Sequence, residues 1–403
     1  MRTPEELSSL EVAVGWPLRG KERATPRLGR VGHEPLAALA SAIESALGDG
    51  PPAVAFSGGR DSSLLLAVAA LVCKSAGLDP PLPITVCVPS AGADADERGW
   101  QELVLDHLQI PHWHRIPIGT ELDLIGPYAR RHLLRDGLLF PANCHSVVPM
   151  LEAAGKRCLI VGLGGDELLT PKQWRSVHDL LGRRRKPQHR DILRLAACGI
   201  PRPIRGMARS ASPDDFAEME WLRPAAMSSL ARSAGTSFEQ PVTWRAAVRH
   251  TAARRDVILP LRAMQRLADV SGHKLAAPLL DPSFVGALAR AGGLCGWGTR
   301  AAAMDALVSD LLPEKLIGRE SKAHFNRVFF GEESRAFASA WSGRGLDDTL
   351  VDPEVLRREW LSERPDFRSA LLLQSAWLAD RKLTPGLPTD NGEGLNLVPA
   401  ACA

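Results

Sequence analysis

The chain is short of net charge, of ordered cysteine and of long apolar runs, and each shortage removes a class of function. With 49 Lys and Arg against 46 Asp and Glu, a formal net charge of +3 gives no electrostatic case for nucleic acid as the main partner. The one basic run, Arg183-Arg184-Arg185-Lys186, reads first as solvated surface and second as a contact for an anionic substrate or leader segment. The seven cysteines are odd in number, scattered, and never spaced as Cys-x-x-Cys. That argues against both a disulfide framework and a structural zinc. The start, Met1-Arg2-Thr3-Pro4-Glu5-Glu6-Leu7, has no apolar signal core, and no run approaches a membrane span. A cytoplasmic protein without a membrane partner is therefore expected. No internal repeat is visible.

What the chain does have is Ser57-Gly58-Gly59-Arg60-Asp61-Ser62, set between the apolar residues 53–56 and a helical pattern over 63–72. A buried strand that breaks through glycines into a helix start can wrap bare N–H groups around a phosphate, so the hexad points to a nucleotide. Gly58 and Gly59 allow positive φ and leave room for the anion, while Ser57 and Ser62 offer hydroxyl donors near the positive end of the helix dipole. Asp61 would repel phosphate unless Mg²⁺ lay between them. The segment is neither a Walker loop nor Gly-x-Gly-x-x-Gly. A plain strand-to-helix turn is the bland alternative.

Four short apolar runs, at 53–56, 84–88, 113–118 and 158–161, alternate with helical patterns. This order predicts an α/β fold with a parallel sheet and ligands outside the strands' carboxyl ends. Val88, closing the second run, is counted with the nucleotide-binding residues. Beyond about residue 171 the periodicity turns helical, as over 257–270, 283–290 and 300–312, and strand patterns almost vanish. The expected division is a short N-terminal segment (1–50), a nucleotide-binding α/β core (51–170), a mainly helical substrate region (171–382) and a flexible tail (383–403). Within the first segment, residues 34–47 form a good helix pattern and residues 11–16 are open to a strand. Most of the tryptophans are expected in the core, with Trp174 considered for substrate contact.

A second glycine-rich strand end, Val161-Gly162-Leu163-Gly164-Gly165-Asp166-Glu167-Leu168-Leu169, delivers another aspartate to the same sheet edge. Two such ends form a sensible divalent-metal clamp on a triphosphate, although Asp166 also suits a helix cap. Together the two motifs resemble the synthetase domain of the asparagine synthetase family, which includes β-lactam, carbapenam and lasso-peptide macrolactam synthetases. The likeness extends through Asp96-Glu97 and Ala277-Pro278-Leu279-Leu280-Asp281-Pro282 to Arg319-Glu320-Ser321-Lys322-Ala323-His324-Phe325. It covers roughly residues 50–340.

The resemblance implies a nucleotide-binding core of the ATP pyrophosphatase kind, with ATP and Mg²⁺ as cofactors. A carboxylate is adenylated, pyrophosphate leaves, and an amine attacks the acyl-adenylate to give an amide. By match of position, Asp61 and Asp166 are the Mg²⁺ ligands. Ser57, Gly58, Gly59, Asp61 and Ser62, with Gly162 and Gly164, line the ATP site. Lys322 matches the lysine that stabilises charge on the acyl-adenylate and tetrahedral intermediate, an oxyanion-type role worth about 3 kcal/mol.

Two departures shape the expectation. Arg2 stands where the family's glutaminase nucleophile would be, and fifty residues are too few for that domain, so an amine on the substrate or on a second molecule is favoured over ammonia from glutamine. Leu163 stands where asparagine synthetases have glutamate and β-lactam synthetase has tyrosine, and leucine takes no proton. His145 is the first candidate to replace that base, ahead of His324; His112 and His114 are read as surface residues flanking a strand. The favoured activity is AMP-forming amide ligation of the lactam or macrolactam type in natural-product or modified-peptide biosynthesis. Its substrates would be a small-molecule or peptide carboxylate and an amine, and its partner a precursor peptide or companion biosynthetic protein. Amidation with free ammonia, nucleobase or tRNA modification through an adenylate, and a non-catalytic nucleotide-binding descendant are the alternatives.

Overall fold

The sheet is built on residues buried from both sides. In the computed structural model, which describes residues 6–18, 34–48, 50–88, 97–169, 218–236, 241, 243–308, 311–319 and 326–383, five strands run parallel. They are β1 (Ala53–Ala55), β2 (Leu82–Cys87), β3 (His114–Pro117), β4 (Leu159–Ile160) and β5 (Leu275–Ala276), in the order β3-β2-β1-β4-β5. The direction of winding reverses at β1, which pairs with β2 on one side (Ala53 opposite Leu82) and β4 on the other (Ala53 opposite Leu159). The crevice between the carboxyl ends of β1 and β4 is therefore the topological switch point, where ligands bind in open α/β sheets.

The helices follow from that sheet. They include α1 (Ser9–Val14), α2 (Pro35–Glu44), α3 (Arg60–Ser75), α4 (Arg98–Leu108), α5 (Pro127–Asp136), α6 (Val148–Ala154) and α7 (Gly165–Leu168). Further along come α8 (Trp244–Ala252), α9 (Arg255–Val270), α10 (Pro282–Ala291), α11 (Arg300–Val308), α12 (Glu332–Ala340), α13 (Pro353–Leu361) and α14 (Ala370–Leu383). Strand side chains alternate between faces. Val54, Phe56 and Ile160 pack with α2, α3, α8, α10 and α11, whereas Ala53, Leu159 and Val161 pack with α6 and α9. Both faces are covered, as a parallel sheet requires. A third cluster joins α1, α5, α12, α13 and α14 around Trp221 and Trp360.

The most deeply buried tryptophans find an acceptor for the indole N–H, which an apolar core would otherwise leave unpaired. Trp221 donates to the Ala13 carbonyl and Trp244 to the Leu288 carbonyl, both at 3.0 Å. The expected core role holds for these residues. Trp16 is half exposed, and Trp174 lies outside the described residues.

Two expectations change. Residues 11–16 are not a strand: Ser8 and Glu11 form a reciprocal capping box, and Gly15 at φ 64° ends helix α1 one turn later. Strand structure also continues past residue 171, because β5 adds to the sheet beside β4, with Leu159 opposite Leu275. The helical pattern over 34–47 is met by α2. The expected tail from 384 onward and the basic run 183–186 lie outside the described residues.

Candidate active site

The loop after β1 is shaped by Gly58, whose φ of 77° few other residues adopt and whose Cβ, if present, would lie 2.8 Å from Gln101 Cγ. The two serines hold the loop together. Ser62 Oγ accepts from the Ser57 N–H at 3.2 Å, donates to the Gly59 carbonyl at 3.0 Å and lies 3.1 Å from Ser57 Oγ. Gly59 caps α3 without a side chain, so the cap itself puts no acceptor over the first-turn N–H groups.

The loop after β4 lies directly against this one. A Cβ on Gly162 would stand 3.5 Å from Asp61 Cβ, and one on Gly165 would stand 2.1 Å from Asp61 Cγ. Gly164 has φ 97°, and its Cβ would strike Leu280 at 2.5 Å. The Pro278-to-Asp281 segment is thereby part of the site wall. Asp281 itself is structural: its carboxylate accepts the Ser283 N–H at 2.7 Å and caps α10.

Asp61 and Asp166 converge, as expected, and one side chain that the motifs did not reveal stands between them. Arg300, the first residue of α11, ion-pairs with both carboxylates at once. Burial alone would lower the pKa of this guanidinium, but the two carboxylates together raise it. Two carboxylates that face one cationic group could face a metal ion in its place. Hard carboxylate oxygens suit Mg²⁺, which takes one or two of them and fills its remaining positions with water and phosphate. No group of three or more His, Cys, Asp and Glu side chains among the described residues forms a protein cage for a metal. The pair fits a cation that arrives with its own oxygen ligands. Beside them, burial raises the pKa of the Glu167 carboxyl, and Asp166, Asp61 and Asp256 raise it further.

The tight seat of Asp61 gives a direct test. Gly165→Ala would drive a methyl group into the Asp61 carboxylate and push it from its seat. Nucleotide turnover is expected to fall about a hundredfold, because displacement by an ångström is enough for such a loss. Circular dichroism should show a folded protein alongside the loss of turnover.

A second arginine braces the first loop from behind. Arg319 pairs with Glu97, donates to the Gly58 carbonyl at 3.3 Å and lies 4.8 Å from the Trp100 ring centroid. Gln101 Nε2 donates to the Ser57 carbonyl at 3.2 Å, and Arg60 reaches the Ile317 carbonyl at 3.3 Å. The sequence signal for Arg319 was its place three residues before Lys322. For Arg300 there was none beyond a cation at a helix start.

The expectation for His145 is corrected. Its ring has no exposed surface, its Nε2 lies 3.0 Å from the Leu122 carbonyl oxygen, and His132 and Phe329 pack on it with ring centroids 5.9 and 6.1 Å away. Burial pushes its pKa down to about 4. A side chain sealed in the core cannot collect a proton from a substrate amine. Leu163 is half-buried and packs with the α6 and α9 cluster, and Val88 follows β2 directly at the sheet's carboxyl edge. Lys322, His324 and Asp96 lie outside the described residues.

The asparagine synthase family model matches residues 36–379, from α2 into α14 and so across every strand of the sheet. Comparison with curated proteins returns no match.

Proposed function

The chain belongs to the asparagine synthase family, an ATP-using family of amide-forming enzymes, and on that premise we propose that it activates a carboxylate as its adenylate and joins it to an amine. The observation that carries this reading is the convergence of two glycine-rich loops at the β1/β4 switch point, each delivering one aspartate to the same guanidinium. A carboxylate is a poor electrophile, and transfer to AMP turns its oxygen into part of a good leaving group. The Ser57-to-Ser62 loop and the α3 N-terminus offer N–H donors to the phosphates. Asp61 and Asp166 would hold Mg²⁺, which supplies charge neutralisation at the triphosphate. Lys322 is assigned to the charge that develops on the acyl group.

The amine is the open half of the reaction, and Leu163 guides its assignment. Its side chain brings no proton acceptor to the loop between Gly162 and Gly164, and the core position of His145 removes the first substitute that the sequence offers. Such a site suits an amine that arrives neutral, held by its own substrate beside the activated carboxyl, better than one that must be deprotonated in place. We therefore assign the product to the lactam or macrolactam class, in a natural-product or modified-peptide pathway, with a peptide or small molecule supplying both groups. Among the described residues no helix is long and apolar enough to cross a membrane.

The test is product identity. Incubated with MgATP and a panel of carboxylic acids that includes peptides with a free amine, the protein should release AMP and pyrophosphate and form an amide. Release of ADP and phosphate, or ATP binding without turnover on any acid and amine, would overturn the proposal.

A further inference from the structure

Arg319 takes no part in the chemistry above, yet its surroundings are fully built. It is 7% exposed, its charge is met by Glu97, and its plane lies beside the Trp100 ring. Glu97 and Trp100 belong to the start of α4, the helix that also sends Gln101 Nε2 to the Ser57 carbonyl. Two consecutive carbonyls of the phosphate loop, those of Ser57 and Gly58, are thus held by side chains from the same direction. Gly58 is buried on that side, and Ser57 is exposed on the other.

A trans peptide holds its C=O and the following N–H in one plane, pointing in opposite directions. With the Gly58 carbonyl committed to Arg319, the Gly59 N–H must point away from Arg319, and there it meets Ser57 Oγ at 3.3 Å. Gly58 sits at φ 77°, and without a side chain its neighbouring peptide turns over at little steric cost. The orientation is selected by the clamp rather than by the glycine. Arg319 donates to the Gly58 carbonyl and pairs with Glu97, and through these contacts it acts on the loop.

We infer that Arg319 is a positioning residue: braced by Glu97 and Trp100, it fixes the Gly58–Gly59 peptide so that the Gly59 N–H and its acceptor Ser57 Oγ lie together on the loop face away from Arg319, the face offered to a pyrophosphate-type anion. This rests on the reading of the Ser57-to-Ser62 loop as a phosphate cradle. It also gives the arginine of the Arg319-to-Phe325 motif a role separate from that of Lys322.

The experiment is calorimetric titration of the full chain with magnesium pyrophosphate, with MgATP and with AMP, which lacks the β and γ phosphates. The double variant R319M/E97Q removes both charges, so neither is left buried alone. Its affinity for pyrophosphate and MgATP is expected to fall about tenfold, with AMP affinity unchanged. Arg319→Lys keeps the pairing with Glu97 but lacks the planar fork needed to hold carbonyl and carboxylate together. It is expected to lose about threefold, and it carries the test should the double variant not fold. Equal affinity of wild type and Arg319→Lys for pyrophosphate, or a parallel loss for AMP, would overturn the positioning role. Wild-type protein that binds neither pyrophosphate nor MgATP would overturn the phosphate-cradle reading itself, and the inference with it.

Discussion

Asp61→Asn is expected to lower ATP turnover by about 10²–10³-fold while leaving the protein folded, because one electrostatic partner is removed from a site where charge develops. Asp61 is the better seated of the two aspartates: its side chain is 13% exposed against 46% for Asp166, and the second glycine loop closes over it. The fold has little to lose. Arg300 keeps Asp166 as its partner, and an asparagine of the same shape occupies the same seat. AMP release at saturating MgATP measures the effect, and thermal denaturation reports on the fold. Asp166→Asn should act in the same direction, and the double variant should be little worse than either single one, as expected of residues that act on one ion. An Asp61→Asn protein with wild-type turnover would remove the metal clamp from the mechanism.

Mild acid is expected to unfold this protein through two histidines rather than through its carboxylates. His132 and His145 stack in the core at 1% and 0% exposure, and burial pushes their pKa values down to about 3 and about 4. For His132 the neighbouring His145 and Arg135 oppose protonation and Asp136 favours it, while the Leu122 and Ala142 backbone favours protonation of His145. Both rings take up a proton more readily in the unfolded chain, near pH 6.5, than in the folded one. The stability they contribute is fully present above that value and is lost as pH falls from about 6.5 toward the folded values. Each ring contributes a slope of about 1.4 kcal/mol per pH unit, so about 3 kcal/mol should be lost between pH 7.5 and 5.5. That is a large share of the margin of a typical domain. Urea midpoints at the two pH values measure it, and His145→Gln should remove about half of the slope. Stability that stays flat over this interval would show that neither ring resists protonation.

The parts of the fold legible in the sequence were those dominated by local pattern. The central strands β1 and β4 announced themselves as short apolar runs because burial on both faces of a parallel sheet leaves a continuous signature, and α2 and α3 showed by their spacing, whereas β3 is a largely exposed edge strand. β5 did not, since two residues are too few to show any period and it forms only because β4 offers a free edge. Residues 11–16, left open to a strand, fold into helix α1 because Ser8-x-x-Glu11 is a stronger instruction than the apolar alternation that follows it. At the site, Asp61, Asp166 and the glycines were legible because a phosphate loop constrains backbone and charge within a few residues. Arg300 was not legible, because its position depends on where α11 docks, a property of the tertiary fold. His145 was misjudged for the same reason: nothing beside it in sequence reports that Leu122, His132 and Phe329 enclose it.

The late arrival of β5 has a consequence for how the protein is made. During synthesis the outer edge of β4 stands unpaired from the moment Ile160 leaves the ribosome until Leu275 follows, and a bare parallel edge is a template for the wrong neighbour. The nucleotide crevice beside β4 is completed only when a segment from far downstream has folded back to close it.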